Sequence, residues 1–491
     1  FRFTLDQEED YIFMKKIFAK LNYKVYFNWK NIIKLRLKHE NLFKINMNIK
    51  RNEGSKTTNS QKMWKRALKV IPSGNMFLSK NPNQFLPNLW PTYFTKTKDS
   101  FVWDLDNKKY FDFCTMGVGT NVLGYSNKII DSAVKKNIAK GNMSSLNCPE
   151  EVILSEKLIS IHKDFNMVKL ARTGGEANSV AIRIARANTN RHKVLICGYH
   201  GWHDWYLAAN LSNGKNLDNH LLPGLSPLGV SKYLKNTTLT FEYNNFEDFK
   251  NKIDADDQIG IVKMEVIRTI IPKNNFLEKV RNYTKKKNII LIFDECTTGF
   301  REEFGGLYKK FNIIPDMVIF GKALGNGYPI TAILGRKELM ASSSKTFLSS
   351  TFWSDRIGPT AAIATIDLMK DLKSWKIVNE KGKYIKRQWS KLFKQKKLNV
   401  NIWGRNAIIG FNFISKNNLK YKTFITQELL KKNILASNIV YVAITHKYKL
   451  IDKYFYEFDK VLDKIALFEN GENIDNYINT KIANKSFKRL N

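Results

Sequence analysis

The sequence predicts a large α/β protein built around a mainly parallel β-sheet. Between about residues 165 and 335, short apolar runs alternate with stretches of helical periodicity. The runs read VKLA, KVLIC, IGIVKMEVI, IILIF, DMVIF and ITAIL. They are apolar on both faces, which is typical of strands buried between two layers of helices. A chain of 491 residues is also long enough to bury a large core and to form two or more domains.

The segments that flank this region have other patterns. In residues 1–54, YIFMKKIFAKL predicts a helix after the acidic cluster at 8–10, and a second short helix is expected at about 31–37. The polar stretch RNEGSKTTNS indicates a linker at about 51–60. KMWKRALKVI then predicts an amphipathic helix, and FVWDLDNKKYFDF predicts two strands around an Asp-Asn turn. After about residue 370, long helices and the strands IIGFNFI and IVYVAI indicate a smaller α+β lobe.

Composition argues against several classes of protein. The cysteines Cys114, Cys148, Cys197 and Cys296 are far apart and form no CxxC pair, so we expect neither a zinc ribbon nor a disulfide framework. This pattern fits a reducing, cytoplasmic location. Because no run of about eighteen apolar residues and no signal-peptide pattern is present, we expect neither a membrane span nor secretion.

The chain is strongly basic, with a formal net charge of +37. Such a charge would ordinarily indicate nucleic acid or another polyanion as partner. The lysines are scattered beside many Asn and Ile residues, however, so we interpret the charge as a compositional bias and do not expect nucleic acid. A non-catalytic basic scaffold that binds polyanions is an alternative that charge alone leaves open.

Ligands of such sheets gather at the carboxyl ends of the strands, and two of the runs are followed there by groups suited to bind one. After VKLA, Gly174 and Gly175 precede a helix whose free N–H groups could hold a phosphate, although an ordinary tight turn would look the same. After KVLIC, GYHGWHDWY supplies aromatic rings such as Tyr199 that could stack on a planar ligand or simply pack together. The two histidines in that stretch lack a metal-ligand spacing, so we predict no metal site.

Two further runs are followed by single charged residues. Asp294 follows IILIF, and a carboxylate at the end of an apolar strand needs a partner, such as a protonated pyridine nitrogen. A helix N-cap or a metal ligand is the alternative. Lys322 follows DMVIF among glycines, where a lysine can attack an aldehyde as an amine nucleophile or form a structural ion pair. A phosphate cradle, a stacking ring, an acid and an amine together indicate pyridoxal 5'-phosphate (PLP) chemistry.

The motifs that carry these residues resemble those of the class III aminotransferases, within them the branch of glutamate-1-semialdehyde 2,1-aminomutase. They are IPSG (71–74), VWDLDNKKYFDF (102–113), RTGGEAN (172–178), YHGWHDW (199–205), FDECTTGFR (293–301) and PDMVIFGKALGNGYPI (315–330). The resemblance covers about 62–470. It implies a PLP-dependent transferase of fold type I that forms a homodimer, with a large sheet domain and a smaller α+β domain built from both chain ends.

The resemblance also implies roles for individual residues. Lys322 would bind the cofactor as a Schiff base and shuttle the proton, and Asp294 would pair with the pyridinium nitrogen. Gly174 and Gly175 would bind the phosphate, and Tyr199 would stack on the ring.

Three further positions match the family motifs. Cys296 stands where the family usually has a valine against the other ring face. Glu265 in KMEVIR matches the glutamate of the family's EP pair, with Val266 in place of the proline. Thr351 matches the threonine that reaches the phosphate from the neighbouring subunit.

Departures from the family pattern bear on the substrate. Gly175 stands where a hydroxyl residue is common. The segment 353–356 replaces a Gly-Asn-Pro of the aminomutases, and its Trp353 and Arg356 are candidate substrate contacts. Arg356 could hold an anionic substrate, or it could pair with Asp355 or another acid. This segment resembles the branch associated with surface-polysaccharide pathways.

We therefore predict amino transfer from a small-molecule donor to a small keto or aldehyde compound. The Gly/Pro/Asn-rich stretch after Tyr206 could serve as a mobile lid and favours transamination between two substrates. The alternative is the isomerase of tetrapyrrole biosynthesis, glutamate-1-semialdehyde 2,1-aminomutase.

The first 54 residues resemble the C-terminal end of cytidylyltransferases of the spore-coat polysaccharide type. The match lies in FRFTLDQEEDYIFMKKIF and LFKINMNIKRNEG, where Asp6 would correspond to a metal-binding aspartate. The nucleotide-binding part is absent, so we predict no such activity. The start at Phe1 indicates a fragment, or a true start that lies upstream. The expected divisions are a remnant at 1–54, small-domain segments at 55–115 and 371–470, the large PLP-binding domain at 116–370 and a tail at 471–491.

Overall fold

The computed structural model of the chain describes residues 5, 8–24, 26–46, 57–220, 223–267 and 269–484. Asp6 lies outside these ranges. Within them, none of the helices combines the length and the apolar character needed to cross a bilayer.

Helices and strands alternate through the central part of the chain. The helices are α1 (Glu8–Lys20), α2 (Trp29–Lys38), α3 (Asn59–Val70), α4 (Met116–Gly119), α5 (Lys128–Ile138), α6 (Pro149–Ile161), α7 (Gly174–Thr189), α8 (Asp204–Leu207), α9 (Phe246–Asp254), α10 (Phe276–Lys286), α11 (Lys337–Met340), α12 (Ile357–Leu372), α13 (Ser374–Gln395), α14 (Asn418–Lys431) and α15 (Tyr448–Glu469). The strands are β1 (Phe94–Lys98), β2 (Phe101–Asp104), β3 (Lys109–Phe113), β4 (Met167–Ala171), β5 (Lys193–Cys197), β6 (Thr238–Thr240), β7 (Ile259–Met264), β8 (Ile290–Glu295), β9 (Met317–Phe320), β10 (Thr331–Gly335), β11 (Val400–Gly404), β12 (Ile408–Phe413), β13 (Ile434–Ala436) and β14 (Ile439–Tyr441).

A seven-stranded sheet in the order β4-β10-β9-β8-β7-β5-β6 forms the centre of the molecule. Strands β6, β5, β7, β8 and β9 pair in parallel, whereas β10 is antiparallel to both of its neighbours. Successive residues of one strand enter opposite core clusters, as Ile261 and Val262 do in β7. This arrangement confirms the predicted α/β fold and explains why the runs are apolar on both faces.

Two smaller sheets accompany the large one, and one of them joins distant parts of the chain. The first has the order β1-β2-β3-β13, in which β13 pairs in parallel with β3 through Ile434 and Phe111. The second has the order β11-β12-β14. The predicted turn between β2 and β3 is held by Asp104, whose Oδ1 accepts hydrogen bonds from the N–H groups of Asp106 and Lys108 at 2.9 Å each. The proposed division into 55–115, 116–370 and 371–470 stays a prediction.

The expected N-terminal helices are present as α1 and α2, which share a small apolar cluster that includes Phe13 and Ile32. The predicted linker extends too far, because α3 already begins at Asn59. Thr58 caps this helix: its side chain accepts from the N–H of Gln61, and the Gln61 side chain accepts from the N–H of Thr58. Such reciprocal caps stabilise a helix start within a polar sequence.

Candidate active site

The carboxyl ends of β4, β5, β8 and β9 surround a cavity of about 570 Å³. Its lining is drawn from the segments that follow these strands, together with two outlying residues, Phe77 and Thr331. Six predicted site residues line it: Gly174, Gly175, Tyr199, Asp294, Cys296 and Lys322. The structure thus brings together groups that are up to 148 positions apart in the sequence, counted from 174 to 322.

Lys322 follows β9 after a single glycine. Its φ of 39° lies in the left-handed region, which is costly for a residue with a side chain and is often found at functional sites. Its Nζ donates to Thr297 Oγ1 at 2.9 Å. A Cβ at Gly321 would lie 3.1 Å from Thr331 Cγ2 and 3.3 Å from Cys296 Sγ, so the absence of a side chain there lets the lysine segment approach these neighbours.

Asp294 lies at the end of β8 and is only 3% exposed. Its Oδ1 accepts from the N–H of Cys296 at 3.0 Å, and its Oδ2 is 2.9 Å from His200 Nδ1. Burial opposes ionisation of this carboxyl group, but the Lys263 amine and the His200 hydrogen bond together hold its pKa well below the usual range. Asp294 is therefore an anion that can hold a cationic group.

His200 supports this carboxylate as a neutral imidazole. Burial lowers the pKa of the His200 ring more than the Asp294 hydrogen bond raises it. A neutral ring next to an ionised carboxylate must donate from Nδ1, which leaves Nε2 as the unprotonated nitrogen. His200 Nε2 is buried and has no hydrogen-bond partner among the described residues.

The start of α7 forms one wall of the cavity. Thr173 is its N-cap. The Thr173 hydroxyl accepts a hydrogen bond from the N–H of Glu176 at 3.4 Å, and the N–H of Thr173 donates to the Glu176 carboxylate at 2.8 Å. The N–H groups of Gly174 and Gly175 precede the first intrahelical hydrogen bond and are oriented along the helix dipole. This end of the helix can bind an anion.

Gly175 is packed against His203. A Cβ at position 175 would lie 2.6 Å from His203 Cε1 and 2.7 Å from its Nδ1, so a hydroxyl residue cannot replace this glycine unless the ring moves. His203 Nδ1 is buried and has no partner within the described ranges. No spacing in the sequence connects position 203 with position 175, so His203 could be weighed there only as an aromatic ring or a metal ligand, and the structure alone gives it this contact.

Tyr199 and Cys296 line the same cavity from β5 and β8. The Tyr199 ring meets the Tyr206 ring edge-on, with centroids 5.9 Å apart and planes at 83°. Burial raises the pKa of the Cys296 thiol well above its usual value, so the sulfur is a neutral packing group. Asn178 of α7 also lines the cavity, with a buried Oδ1 that lacks a partner among the residues described. No signal in the sequence singles it out from the other polar residues of this helix.

Glu265 lies outside this cavity. Its Oε2 accepts from the N–H of Tyr199 at 3.2 Å, and a Cβ at Gly198 would lie 2.7 Å from the same oxygen. Glu265 therefore holds the backbone that carries Tyr199. It also lines a second cavity of about 340 Å³ together with His220.

Thr351 and Trp353 also lie outside the cavity. Both belong to a short 3-10 helix at Thr351–Ser354, which borders a separate surface groove, and Thr351 is exposed. The Trp353 ring nitrogen donates to Glu176 Oε1 at 3.4 Å. Trp353 thereby contacts, from outside the cavity, the glutamate that exchanges hydrogen bonds with the N-cap Thr173.

Arg356 is occupied by an acid of its own chain. Its Nη2 and Nε lie 2.8 and 3.3 Å from the two carboxylate oxygens of Glu150. Asp355, the other partner considered, pairs with Arg172 Nε at 2.5 Å. This geometry favours a structural ion pair for Arg356 over a substrate contact.

Most of this chain is similar to known proteins. A family model described as "Aminotransferase class-III" matches residues 87–451. The glutamate-1-semialdehyde 2,1-aminomutase of Nitrosopumilus maritimus is 37% identical over 325 residues, which are 64% of this chain and 74% of that protein. The 3-aminobutyryl-CoA aminotransferase of Cloacimonas acidaminovorans is 31% identical over 394 residues, 78% of this chain and 91% of that protein. The resemblance of residues 1–54 to a cytidylyltransferase stays a prediction.

Solved structures with the same fold include two transaminases. A structure entitled "Transaminase with PLP bound" aligns with a TM-score of 0.75 at 19% identity and covers 84% of this chain and 99% of its own. An omega-transaminase from Sphaerobacter thermophilus aligns with a TM-score of 0.73 at 19% identity and covers 85% and 99%. At this identity the two structures establish the fold.

Proposed function

Because the chain belongs to the class III aminotransferases, a family of PLP-dependent enzymes, we propose that it transfers an amino group between small molecules in the cavity that contains Lys322 and Asp294. The observation that carries this proposal is the convergence of an amine, an ionised carboxylate and a helix N-terminus on one cavity. Membership of an enzyme family confirms the predicted enzyme and removes the reason to consider a non-catalytic scaffold.

The residues of the cavity fit PLP by their chemistry. The buried anion Asp294 suits a protonated ring nitrogen, and the amine of Lys322 suits an aldehyde. The N–H groups of Gly174 and Gly175 and the unpartnered Nδ1 of His203 suit a phosphate. Tyr199 and Cys296 would contact the ring. When bound, the cofactor supplies the electron sink for breaking bonds at the substrate carbon.

Two side chains would then perform the proton chemistry. Lys322, oriented by its hydrogen bond to Thr297 Oγ1, would attach the cofactor and, once released, move a proton at the substrate carbon. Asp294 would hold a proton at the ring nitrogen, supported by His200. His200 and Lys263, both buried behind Asp294, exclude water from the far side of this carboxylate.

The substrate class is proposed from the chain's own segments. We favour transamination between two small substrates, because the Gly/Pro/Asn-rich stretch after Tyr206 could open to release the first product and admit the second substrate. Asn219 and His220 of this stretch border the second cavity. The replaced segment at 353–356 and the N-terminal resemblance motivate a role in surface-polysaccharide metabolism. Glutamate-1-semialdehyde 2,1-aminomutase activity is the second candidate, which the 37% identical relative of that name favours.

A homodimer with shared sites is also part of the proposal. Thr351 is exposed and lies outside the cavity of its own chain, as a residue that serves the partner's site must. We further propose a cytoplasmic location, in keeping with the four cysteines, which are all free thiols in this structure.

The proposal can be tested on the purified full chain. Loaded with PLP, the protein should show a visible absorption band, and borohydride should fix the cofactor on the tryptic peptide that contains Lys322. A single turnover with an amino acid donor should release a keto acid and shift the band. If donors leave the spectrum unchanged and glutamate-1-semialdehyde gives 5-aminolevulinate without a donor, the aminomutase is correct and the transaminase is not.

A further inference from the structure

Lys263 is a lysine in the middle of the apolar core. It lies in β7, its side chain is fully buried, and its register neighbours in the adjacent strands are Ile196 and Ile292. Its Nζ has no hydrogen-bond partner among the described residues. Burying an amine without hydrogen bonds is costly, so this position calls for an explanation beyond packing.

The nearest acid to this amine is the candidate cofactor ligand. Lys263 Nζ lies 4.0 Å from Asp294 Oδ2, the same oxygen that receives the hydrogen bond from His200 Nδ1 at 2.9 Å. A separation of 4.0 Å is too long for a hydrogen bond but short enough for a strong charge interaction in a dry site. Two nitrogen groups of the protein thus face one carboxylate.

The titratable groups around Lys263 come from three elements. Asp294 and Cys296 face it from β8 and its end, Glu265 from the end of its own strand, and His200 from the segment after β5. Burial lowers the pKa of the amine, and the nearby acids raise it. The interaction with Lys263 in turn lowers the pKa of Asp294.

We propose that Lys263 is a positioning residue that competes with the ring nitrogen of PLP for the carboxylate of Asp294 and thereby weakens the hold of that carboxylate on the ring proton. In its protonated form, the Lys263 amine 4.0 Å from Oδ2 would reduce the negative potential that Asp294 presents to the cavity. Without Lys263, the carboxylate would face His200, the N–H of Cys296 and the ring, and no second cation among the described residues of the protein. This inference rests on the proposed role of Asp294 as the partner of the ring nitrogen.

The test uses pyridoxamine phosphate labelled with nitrogen-15 in the ring, which binds without covalent attachment. In Lys263→Met the pKa of the ring nitrogen, followed by NMR, should rise by about one unit, and the ligand should bind roughly tenfold more tightly, since one pKa unit is a tenfold change in a protonation equilibrium. The affinity for the 1-deaza analogue, which lacks the ring nitrogen, should not change. Lys263→Arg should keep the wild-type pKa.

A matched control is Lys381→Met. Lys381 is also buried, and burial lowers its pKa to about 8, but it lies in α13 and its Nζ donates to the carbonyl of Ile444. Its replacement should leave the ring pKa and both affinities unchanged. If Lys263→Met folds poorly by circular dichroism, Lys263→Ile matches the residues beside it in β5 and β8 and takes its place.

The result that overturns the proposal is a ring pKa unchanged in the folded neutral variants, or an equal change of affinity for the 1-deaza analogue. Asp294→Asn, measured in parallel, distinguishes a failure of the inference on Lys263 from a failure of the proposed role of Asp294. If Asp294→Asn lowers the ring pKa while Lys263→Met does not raise it, only the inference on Lys263 fails. If neither variant moves the ring pKa, the proposed role of Asp294 fails as well.

Discussion

His200 Nδ1 lies 2.9 Å from Asp294 Oδ2, and the two residues are 1% and 3% exposed. Because burial keeps the imidazole neutral, the ring donates its only proton to the carboxylate and cannot neutralise it. The pair therefore presents one fixed negative charge to the cavity.

Removing this charge without changing the shape tests the role of Asp294. Asp294→Asn keeps an oxygen that can accept from His200, so the protein should fold and still bind PLP. It should lose several powers of ten in turnover, because a neutral amide no longer holds the ring nitrogen protonated. Single-turnover kinetics and the ring pKa measure this. Asp316→Asn is the control: Asp316 pairs with Arg281, so that variant should lose stability and keep its turnover rate. Near-normal turnover in Asp294→Asn would contradict the role assigned to Asp294.

Lys322→Ala should abolish turnover and covalent attachment of PLP while the chain still folds. The amine serves both as the attachment point and as the group that moves the substrate proton. Borohydride treatment followed by peptide mass measurement should find no labelled lysine. The exposed Lys345 offers a control, since Lys345→Ala should keep the visible band and the label, and a label at another lysine in Lys322→Ala would overturn the assignment.

The contact between Gly175 and His203 predicts coupled effects on phosphate binding. Gly175→Ser should weaken PLP binding because its side chain would collide with the His203 ring, and His203→Ala should weaken it by loss of a donor. The double variant should bind more tightly than Gly175→Ser alone, since the hydroxyl then has room to reach the phosphate. Equilibrium dialysis measures the three affinities. The exposed Gly214 has nothing within 4 Å of a built Cβ, so Gly214→Ser should bind PLP like the wild type. If the effects of Gly175→Ser and His203→Ala on PLP affinity are additive in the double variant, the proposed coupling is wrong.

His446 predicts a pH dependence of stability. Its Nδ1 accepts from the N–H of Ala443 at 3.3 Å, and its Nε2 donates to the carbonyl of Asp112 at 3.0 Å. Protonation of Nδ1 would break the first of these hydrogen bonds. Burial lowers the pKa of the ring to about 3. The unfolded state, with a pKa near 6.5, binds this proton first, so the stabilisation is complete above pH 6.5 and is lost as the pH falls towards 3. In this window the free energy of unfolding, measured with urea, should fall by about 1.4 kcal/mol less per pH unit in His446→Gln than in the wild type. Equal slopes would contradict the prediction.

Shared sites predict that two inactive chains can rescue each other. Lys322→Ala and Thr351→Ala disrupt different contributions, so a mixed dimer should contain one site with both residues intact. Mixing after mild denaturation should restore part of the activity in proportion to the heterodimer. Light scattering that finds a fully active monomer would contradict the dimer.

The site residues that follow apolar strands were predictable from sequence. Asp294 lies at the end of β8, Lys322 follows β9 after one glycine, and Gly174 follows β4 after two residues. The carboxyl ends of these strands meet at one edge of the sheet. The antiparallel direction of β10 was not predictable, because ITAIL is as apolar as its parallel neighbours and carries no mark of direction.

Other features depend on contacts that only folding creates. Arg356 meets Glu150 across 206 positions, and no local pattern distinguishes this acid from Asp355, which is adjacent. Glu265 matches a family motif, yet its carboxylate supports the Tyr199 backbone instead of lining the cavity. Lys263 looks in sequence like one charge among 81 basic residues, and only the distance to Asp294 gives it a meaning.

The pairing of β13 with β3 has a consequence for the order in which the chain can fold during synthesis. All strands of the seven-stranded sheet lie before residue 336, whereas β13 begins at Ile434. The cofactor-binding sheet can therefore be complete while the β1-β2-β3 sheet still exposes an open edge, which is a site for pairing with other chains. Closure of that edge requires a contact between residues more than 300 positions apart, and such long-range contacts form slowly. A chaperone that covers β3 until β13 has emerged would protect the nascent chain while this edge is open.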